Sequence, residues 1–395
     1  MIEVRQTLDQ VWRADGGGML GVLARRLGDL DLAEEALQDA VTEALRRWPA
    51  DGVPKHPPGW LVTTAWRKAL DRARREATGR GKLAALAGAP PEEPSGDDRL
   101  ALIFACCHPE LPEPAQMALT LSAVAGLPAE TIAAAFLLPR ATMAQRLVRA
   151  KRRLRERGVR FEVPDPDVYA TRLPAVLAVL YLIFNEGYLA SDVPERRDLA
   201  QEGLSLARQL AALMPATPEV AGLAALLELH WARSRARFAD GRIVLLEEQD
   251  RGTWDRELIV SAVQRLARAA ALDQPGPYQL EAAIAAQHAL APTYDRTNWT
   301  AVRKLYDALL IMKPTPVIRL SRAVATGFVD GPAAALAEVD ALAADLSGYR
   351  LWHATRADLL GRLGRDPTDN LRRALALATN PAERELLARR LANAP

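Results

Sequence analysis

The segment Leu127 to Arg157, LPAETIAAAFLLPRATMAQRLVRAKRRLRER, constrains the fold more than any other part of the chain. It reads as two helices around a tight turn, the second loaded with arginine and lysine. Pro128 suits the first turn of a helix, where its missing N–H costs nothing. Ile132, Ala135 and Phe136 recur at helical spacing. Leu137-Leu138-Pro139 stops that helix, because the residue before a proline is pushed out of the α region. A second helix opens near Arg140 and Ala141, with Met143, Leu147, Val148 and Leu154 on its buried side. Thr142, Gln145, Arg146, Arg149, Arg152 and Arg153 are left pointing outward. Helix, short turn and basic helix outline a helix-turn-helix, whose second helix enters the DNA major groove. The other reading is an ordinary helical hairpin with a solvated basic face.

The rest of the chain is expected to be helical too. Alanine and leucine are abundant and aromatics few, and no strand-like alternation runs beyond a few positions. The expected fold class is all-α. With 395 residues there is room for two or three domains. The net charge is only +2, but its distribution is uneven. Arg67 to Lys82 and Arg140 to Arg160 are basic, while Asp29 to Asp39, Glu92 to Asp98 and Glu247 to Glu257 gather acids. Local basic stripes point to nucleic acid more directly than net charge does. The start, MIEVRQTLDQVWR, lacks the basic flank and apolar core of a signal peptide. No run approaches the ~20 apolar residues of a membrane span. A cytoplasmic protein without a membrane partner is expected. Cys106 and Cys107 are adjacent, a poor arrangement for a structural disulfide, and read as buried small hydrophobes.

Asp31 to Trp48 is amphipathic: Leu32, Ala36, Val41 and Leu45 face inward, and Glu34, Glu35, Gln38, Asp39 and Glu43 outward. A proline-rich loop, Pro49 to Pro58, precedes a helix from Trp60 to Arg75. That helix carries Trp60 and Trp66 among Arg67, Lys68, Arg72, Arg74 and Arg75. Aromatics among cations suit single-stranded nucleic acid, where bases stack and phosphates need countercharge. Two core tryptophans under a solvated face account for the pattern equally well. Later, Tyr278–Leu290 with Trp299–Met312, Val317–Gly327 with Pro332–Ala344, and Tyr349–Gly364 with Asp369–Ala378 read as helix pairs, closed by Ala382–Leu391. Pairs at that period, with alanine at packing positions, resemble tetratricopeptide repeats.

No catalytic or metal pattern emerges. There is no P-loop, GxSxG or strand-borne GxGxxG, and His56, His108, His230, His288 and His353 are scattered. No enzyme activity, cofactor or metal is expected. Asn185-Glu186-Gly187-Tyr188 ends the apolar run Val176 to Phe184. It reads as a helix end with Gly187 as left-handed cap, or as a ligand or partner contact.

Two basic blocks in tandem resemble an extracytoplasmic-function sigma factor of the sigma-70 family over residues 1 to 160. Ala33-Glu34-Glu35-Ala36-Leu37-Gln38-Asp39 matches the segment that docks on RNA polymerase. Trp60-Leu61 and Leu70-Asp71-Arg72, followed by Arg74-Arg75, match the helix that reads the −10 element. Ala118-Leu119-Thr120-Leu121 to Gly126-Leu127, Glu130-Thr131-Ile132-Ala133, and Ala141 to Leu154 match the −35 domain. Three departures stand out: Val41 and Leu45 replace aromatics, Trp66-Arg67 replaces Arg-Asn, and Gly16-Gly17-Gly18 interrupts what is normally a helix.

The resemblance implies core RNA polymerase as a partner, through the clamp helices of its largest subunit and the flap, together with promoter DNA. It assigns polymerase docking to Glu34, Glu35, Leu37, Gln38 and Asp39. It assigns −10 contact to Lys55, His56, Trp66, Arg67, Lys68, Asp71, Arg72 and Arg75. Contact at −35 falls to Arg140, Thr142, Gln145, Arg146, Arg149, Arg152 and Arg153. The implied organisation is region 2 at 1–78, a linker at 79–97, region 4 at 98–160, a helical extension at 165–275 and tetratricopeptide-like repeats at 276–395. Tyr181 to Tyr188, Leu245 to Arg251, Trp254-Asp255-Arg256 and Gly276 to Leu280 resemble the extension of a sigma group whose fused C-terminal half controls the sigma module, which implies Asn185, Glu186, Gly187 and Tyr188 as regulatory candidates and an unidentified ligand or protein as partner. The rivals are a free-standing helix-turn-helix regulator with a repeat-type sensor, and a tetratricopeptide scaffold.

Overall fold

A computed structural model describes residues 2–75, 94–136, 138–188, 194–239 and 241–394. The described chain is all-α apart from one short hairpin, Phe238–Ala239 against Arg242–Ile243. It divides into two compact units, one of residues 1–187 and 194–213, the other of residues 188–193 and 214–395.

The first unit opens with α1 (Ile2–Leu27), α2 (Leu30–Asp51) and α3 (Pro57–Arg75), which pack against one another. Asp29 starts α2 by accepting the Asp31 and Leu32 backbone N–H groups, which the helix itself leaves unpaired. Met19, Leu23, Leu37, Leu61, Val62 and Trp66 fill the core of this block. The three glycines do not interrupt α1, which runs through them unbroken. They serve packing instead. A Cβ on Gly17 would sit 2.8 Å from the Val124 carbonyl, and one on Gly21 would run into that of Asp98. Glycine lets α1 approach the next block backbone to backbone. The proline-rich loop is also shorter than expected. Pro49 lies inside the last turn of α2, and α3 begins at Pro57.

The second block holds α4 (Gly96–Cys106), α5 (Glu113–Ala123), α6 (Ala129–Ala135) and α7 (Arg140–Glu156). The expected linker lies mostly outside the described residues, and its end, Gly96-Asp97, is already helical. Ser95 and Asp98 form a reciprocal capping box at the start of α4. Asp98, 2% exposed, also meets Arg25 of α1 at 2.8 Å. Two further helices belong to this unit: α8 (Pro166–Tyr188), which ends in it at Gly187, and α9 (Pro194–Leu213). Tyr169 stacks on Phe104 at 5.1 Å, Arg172 donates to the Phe104 carbonyl, and α9 packs on α4 and α6. The compact unit thus takes in the first two helices after the helix-turn-helix.

The second unit contains α10 (Pro218–Ala232), α11 (Arg256–Ala270), α12 (Pro277–Leu290), α13 (Trp299–Met312), α14 (Pro316–Val329), α15 (Pro332–Asp340), α16 (Ala343–Leu346), α17 (Arg350–Arg362), α18 (Thr368–Leu377) and α19 (Pro381–Ala392). From α12 onward the helices lie within a few residues of their expected positions, except that the expected helix Pro332–Ala344 ends at Asp340 and a separate short helix, α16, follows it. Successive helices pack on their neighbours, around Leu309 and Ile318, then Leu336 and Trp352, then Leu371 and Leu387.

Candidate nucleic-acid interface

Helix α7 is built as the sequence implies, with one change of face. Met143, Leu147, Ala150 and Leu154 are buried, whereas Val148 is 58% exposed. Ala150, not Val148, continues the stripe, because it follows Leu147 and precedes Leu154 at helical spacing. Thr142, Gln145, Arg149, Arg152 and Arg153 are exposed, and Arg146 is half-buried. Thr142, Gln145, Arg146, Arg149 and Arg153 line one groove, whose floor includes Leu111, Pro112 and Ala115.

The cations of α7 divide by partner. Arg140 meets Glu130 at 3.1 Å, Arg152 meets Glu156 at 3.5 Å, and Arg153 meets Glu110 at 3.6 Å. Arg146 and Arg149 have no carboxylate partner among the described residues. Lys151 and Arg155 turn to another side, toward the start of α2. Lys151 lies 2.8 Å from both Asp31 and Glu34, and Arg155 3.3 Å from Asp29. Burial works against the charge of Lys151, yet the Glu34 and Asp31 carboxylates win and hold its ammonium above the ordinary lysine value. One helix therefore carries an anchored cationic edge and an open one.

The residues assigned to −10 contact are spread over α3 and the loop before it. Lys55 and His56 are exposed in that loop, and Arg67 and Asp71 are exposed on α3. Lys68 faces Glu43 at 3.7 Å, and Arg72 bonds Glu35 at 2.5 Å. Glu43 also takes hydrogen bonds from Arg46 and Arg47, which hold its carboxyl down at about 2. Trp66 is 3% exposed and its indole is core, so the expectation of an outward aromatic is corrected. Its spacing to Leu61, Val62 and Ala69 places it on the apolar face of α3. The Arg75 side chain lies outside the described residues.

On α2, Gln38 and Asp39 are exposed and Glu35 is exposed but paired with Arg72. Glu34 is half-buried under Lys151, and Leu37 is fully buried, so it supports the helix from within. Leu45, expected inside, is 40% exposed, and Val41 is half-buried. Ala40, Ala44 and Trp48 take the inward stripe instead. Lys151 and Arg155 were the residues that sequence reasoning missed. Their partners lie more than a hundred positions away, so no local spacing could signal them: 117 residues separate Lys151 from Glu34.

Gly187 is not a left-handed cap. It lies inside α8, its φ is not positive, and only Tyr188 follows it in the helix. Asn185 and Glu186 are half-buried, and Tyr188 is buried in the second unit. Cys106 and Cys107 are free and buried. Burial pushes both thiols up, Cys107 to about 12, which keeps the reactive thiolate scarce.

Comparison with known families places the geometry. Residues 12–78 match the model for sigma-70 region 2, and residues 101–154 that for sigma-70 region 4. Residues 172–270 match a family of unknown function, DUF6596. An uncharacterised protein of Rhizobium meliloti (strain 1021) is 44% identical over 388 residues, covering 92% of this chain and 90% of its own. No solved structure matches. Region 2 and region 4 follow each other in order, and the long relative shares nearly all of the chain: the chain belongs to the sigma-70 family, as a sigma factor with a C-terminal extension.

Proposed function

We propose that this sigma factor acts as an extracytoplasmic-function type in the cytoplasm, directing core RNA polymerase to particular promoters under the control of its own extension. The observation that carries the reading is the division of α7. Lys151 and Arg155 fix the helix to α2, while Arg146 and Arg149 remain without carboxylate partners on the grooved side. A helix held along one edge presents the other in a fixed orientation, as major-groove reading requires. In this reading Arg140, Thr142, Gln145, Arg146, Arg149, Arg152 and Arg153 meet −35 DNA. Lys55, His56, Arg67, Lys68, Asp71, Arg72 and Arg75 attend the −10 strand, with Trp66 supporting them from the core. Gln38 and Asp39 offer the free part of the polymerase-docking surface on the clamp helices. Among the described residues no helix is long and apolar enough to cross a membrane.

Control by the extension is supported by α8 and α9, which pack on the helices that carry the helix-turn-helix. A change in the extension thereby reaches region 4 through shared core rather than through a loose tether. The test pairs two changes in the full chain. Gln38→Lys with Asp39→Lys should abolish capture of core polymerase while leaving helicity intact. Arg172→Ala with Tyr169→Ala, which together remove the hydrogen bond and the ring stacking that α8 makes with Phe104, should alter transcription at equal polymerase binding. Capture that survives the first pair, or transcription unchanged by the second, contradicts the corresponding half of the reading.

A further inference from the structure

The second unit gathers cations that, among the described residues, meet no carboxylate. Arg233 follows α10, Arg237 precedes the small hairpin, and Arg251 stands in the turn before α11. His230 sits in the last turn of α10 and His288 in the last turn of α12, and these two helices pack together. The backbone ties the loop down: Val244 N–H donates to the Arg237 carbonyl at 2.9 Å, and Asp255 N–H to that of Ala232 at 2.8 Å.

Three of these side chains converge on Tyr188, and Arg251 reaches the end of α12 beside His288. The Arg237 guanidinium lies 3.7 Å over its ring, Arg233 Nε donates to its hydroxyl at 3.2 Å, and the His230 ring stands 5.5 Å away. Arg251 packs over Trp254 at 4.5 Å and donates through Nη1 to the His288 and Ala291 carbonyls, at 2.6 and 2.9 Å. That bond caps the end of α12 but uses only one of its nitrogens. Arg237 Nη1, Arg251 Nη2 and His288 Nδ1 are buried with no hydrogen-bond partner. Among the described residues no carboxylate stands within ion-pair distance of Arg233, Arg237 or Arg251. Glu383 acts on Arg237 only from farther off, being paired with Arg350 at 2.6 Å.

Buried donors without acceptors cost free energy, and a cluster of like charges adds to that cost. A fold that keeps such a cluster has a use for it. We propose that Arg233, Arg237 and Arg251, with His230 and His288, form a binding site for a small oxyanion in the C-terminal unit, a phosphate or carboxylate group. Planar guanidinium forks match either group, and the flanking Tyr188 and Trp254 rings orient the forks. The neighbouring imidazoles agree: burial first, and then the adjacent guanidinium groups, hold both histidines below their ordinary value. The cluster is therefore one electrostatic neighbourhood, spanning α10, the hairpin loop and α12. This site stands independently of promoter recognition, and its failure would leave that reading untouched.

The experiment is calorimetric titration of the full chain with inorganic phosphate, and separately with acetate and citrate, in a zwitterionic buffer at constant chloride ionic strength. Saturable binding of at least one is expected; the tighter of the phosphate and carboxylate arms identifies the source of the anion. Arg237→Gln should weaken that binding at least tenfold, while Arg319→Gln, exposed and outside the cluster, should leave it unchanged. Should Arg237→Gln lose its helicity, the His288 ring resonances of the unaltered protein serve instead, and they should move on titration. No binding by any of the three anions, binding undiminished in a folded Arg237→Gln protein, or unmoved His288 resonances would overturn the proposal.

Discussion

Lys151 of α7 lies 2.8 Å from Glu34 of α2, so a residue of region 4's basic helix rests on the acidic segment of region 2. With Asp31 equally close, one ammonium bridges two carboxylates and is only 14% exposed. Replacing Lys151 with methionine keeps the length of the side chain and removes the bridge. The expected cost is about 1–2 kcal/mol, because the released carboxylates regain water only in part. Urea denaturation and amide exchange along α7 read it. Exchange no faster in α7 than in wild type would show that the bridge does not hold the helix.

In the proposed reading Arg146 and Arg149 meet the DNA phosphates and bases. Changing both to glutamine should weaken promoter binding and lower the salt slope by about 1 for each phosphate that is no longer neutralised. Binding measured at several salt concentrations gives the slope. An unchanged slope with weaker binding would move these residues from phosphate neutralisation to base contact, and unchanged binding at every salt concentration would remove them from the interface.

Asp98 joins α1 to α4 through Arg25 and closes the Ser95 capping box. Asp98→Ala removes the returning half of the capping box, from its carboxylate to Ser95, together with the partner of Arg25, at an expected cost of about 2–3 kcal/mol. Gly21→Ala acts at the same crossing by forcing α1 away from the Asp98 carbonyl, for about 1–3 kcal/mol. Thermal unfolding of each variant reports the loss. A Gly21→Ala protein as stable as wild type would mean that the helices part without cost.

Burial, then Arg233 and Arg251, depress His288 from 6.5 to about 4. The unfolded chain thus takes up this proton first as the pH falls. The stability that the neutral ring contributes is complete above pH 6.5 and is lost progressively on the way down to about pH 4. The loss is on the order of 3 kcal/mol. His230 shifts in the same direction, through burial first and then Arg233, Arg237 and His288, and adds to the slope. Unfolding measured without phosphate from pH 7 to 4 should show this fall, and His288→Asn should flatten it. An identical pH profile for the variant would remove His288 from the account.

Much of this was legible in the sequence, for identifiable reasons. Proline, the local caps and the spacing of Met143, Leu147 and Leu154 fix the helix-turn-helix without reference to the rest of the chain. The carboxyl-terminal helices are equally local, most of them opened by a proline, asparagine or threonine at or beside the first residue. What stayed hidden depends on distant partners. The glycines of α1 look like helix breakers until Val124 and Asp98 arrive against them. Trp66 looks like a stacking platform until its neighbours bury it. Lys151 looks like one more cation on a basic face until α2 supplies Asp31 and Glu34. The cationic cluster of the second unit was invisible because its members come from separate segments, none with a motif of its own.

The central claim is that this chain brings RNA polymerase to chosen promoters through the open edge of α7. Run-off transcription with core RNA polymerase and a genomic promoter pool tests it most directly, comparing the full chain with its Arg146→Gln, Arg149→Gln variant at equal concentration. The account predicts transcripts from a limited set of promoters that share spaced −35 and −10 elements, and the disappearance of those transcripts in the variant. Transcription no more selective than that of core polymerase alone, or a variant as active and selective as the unaltered chain, would contradict it.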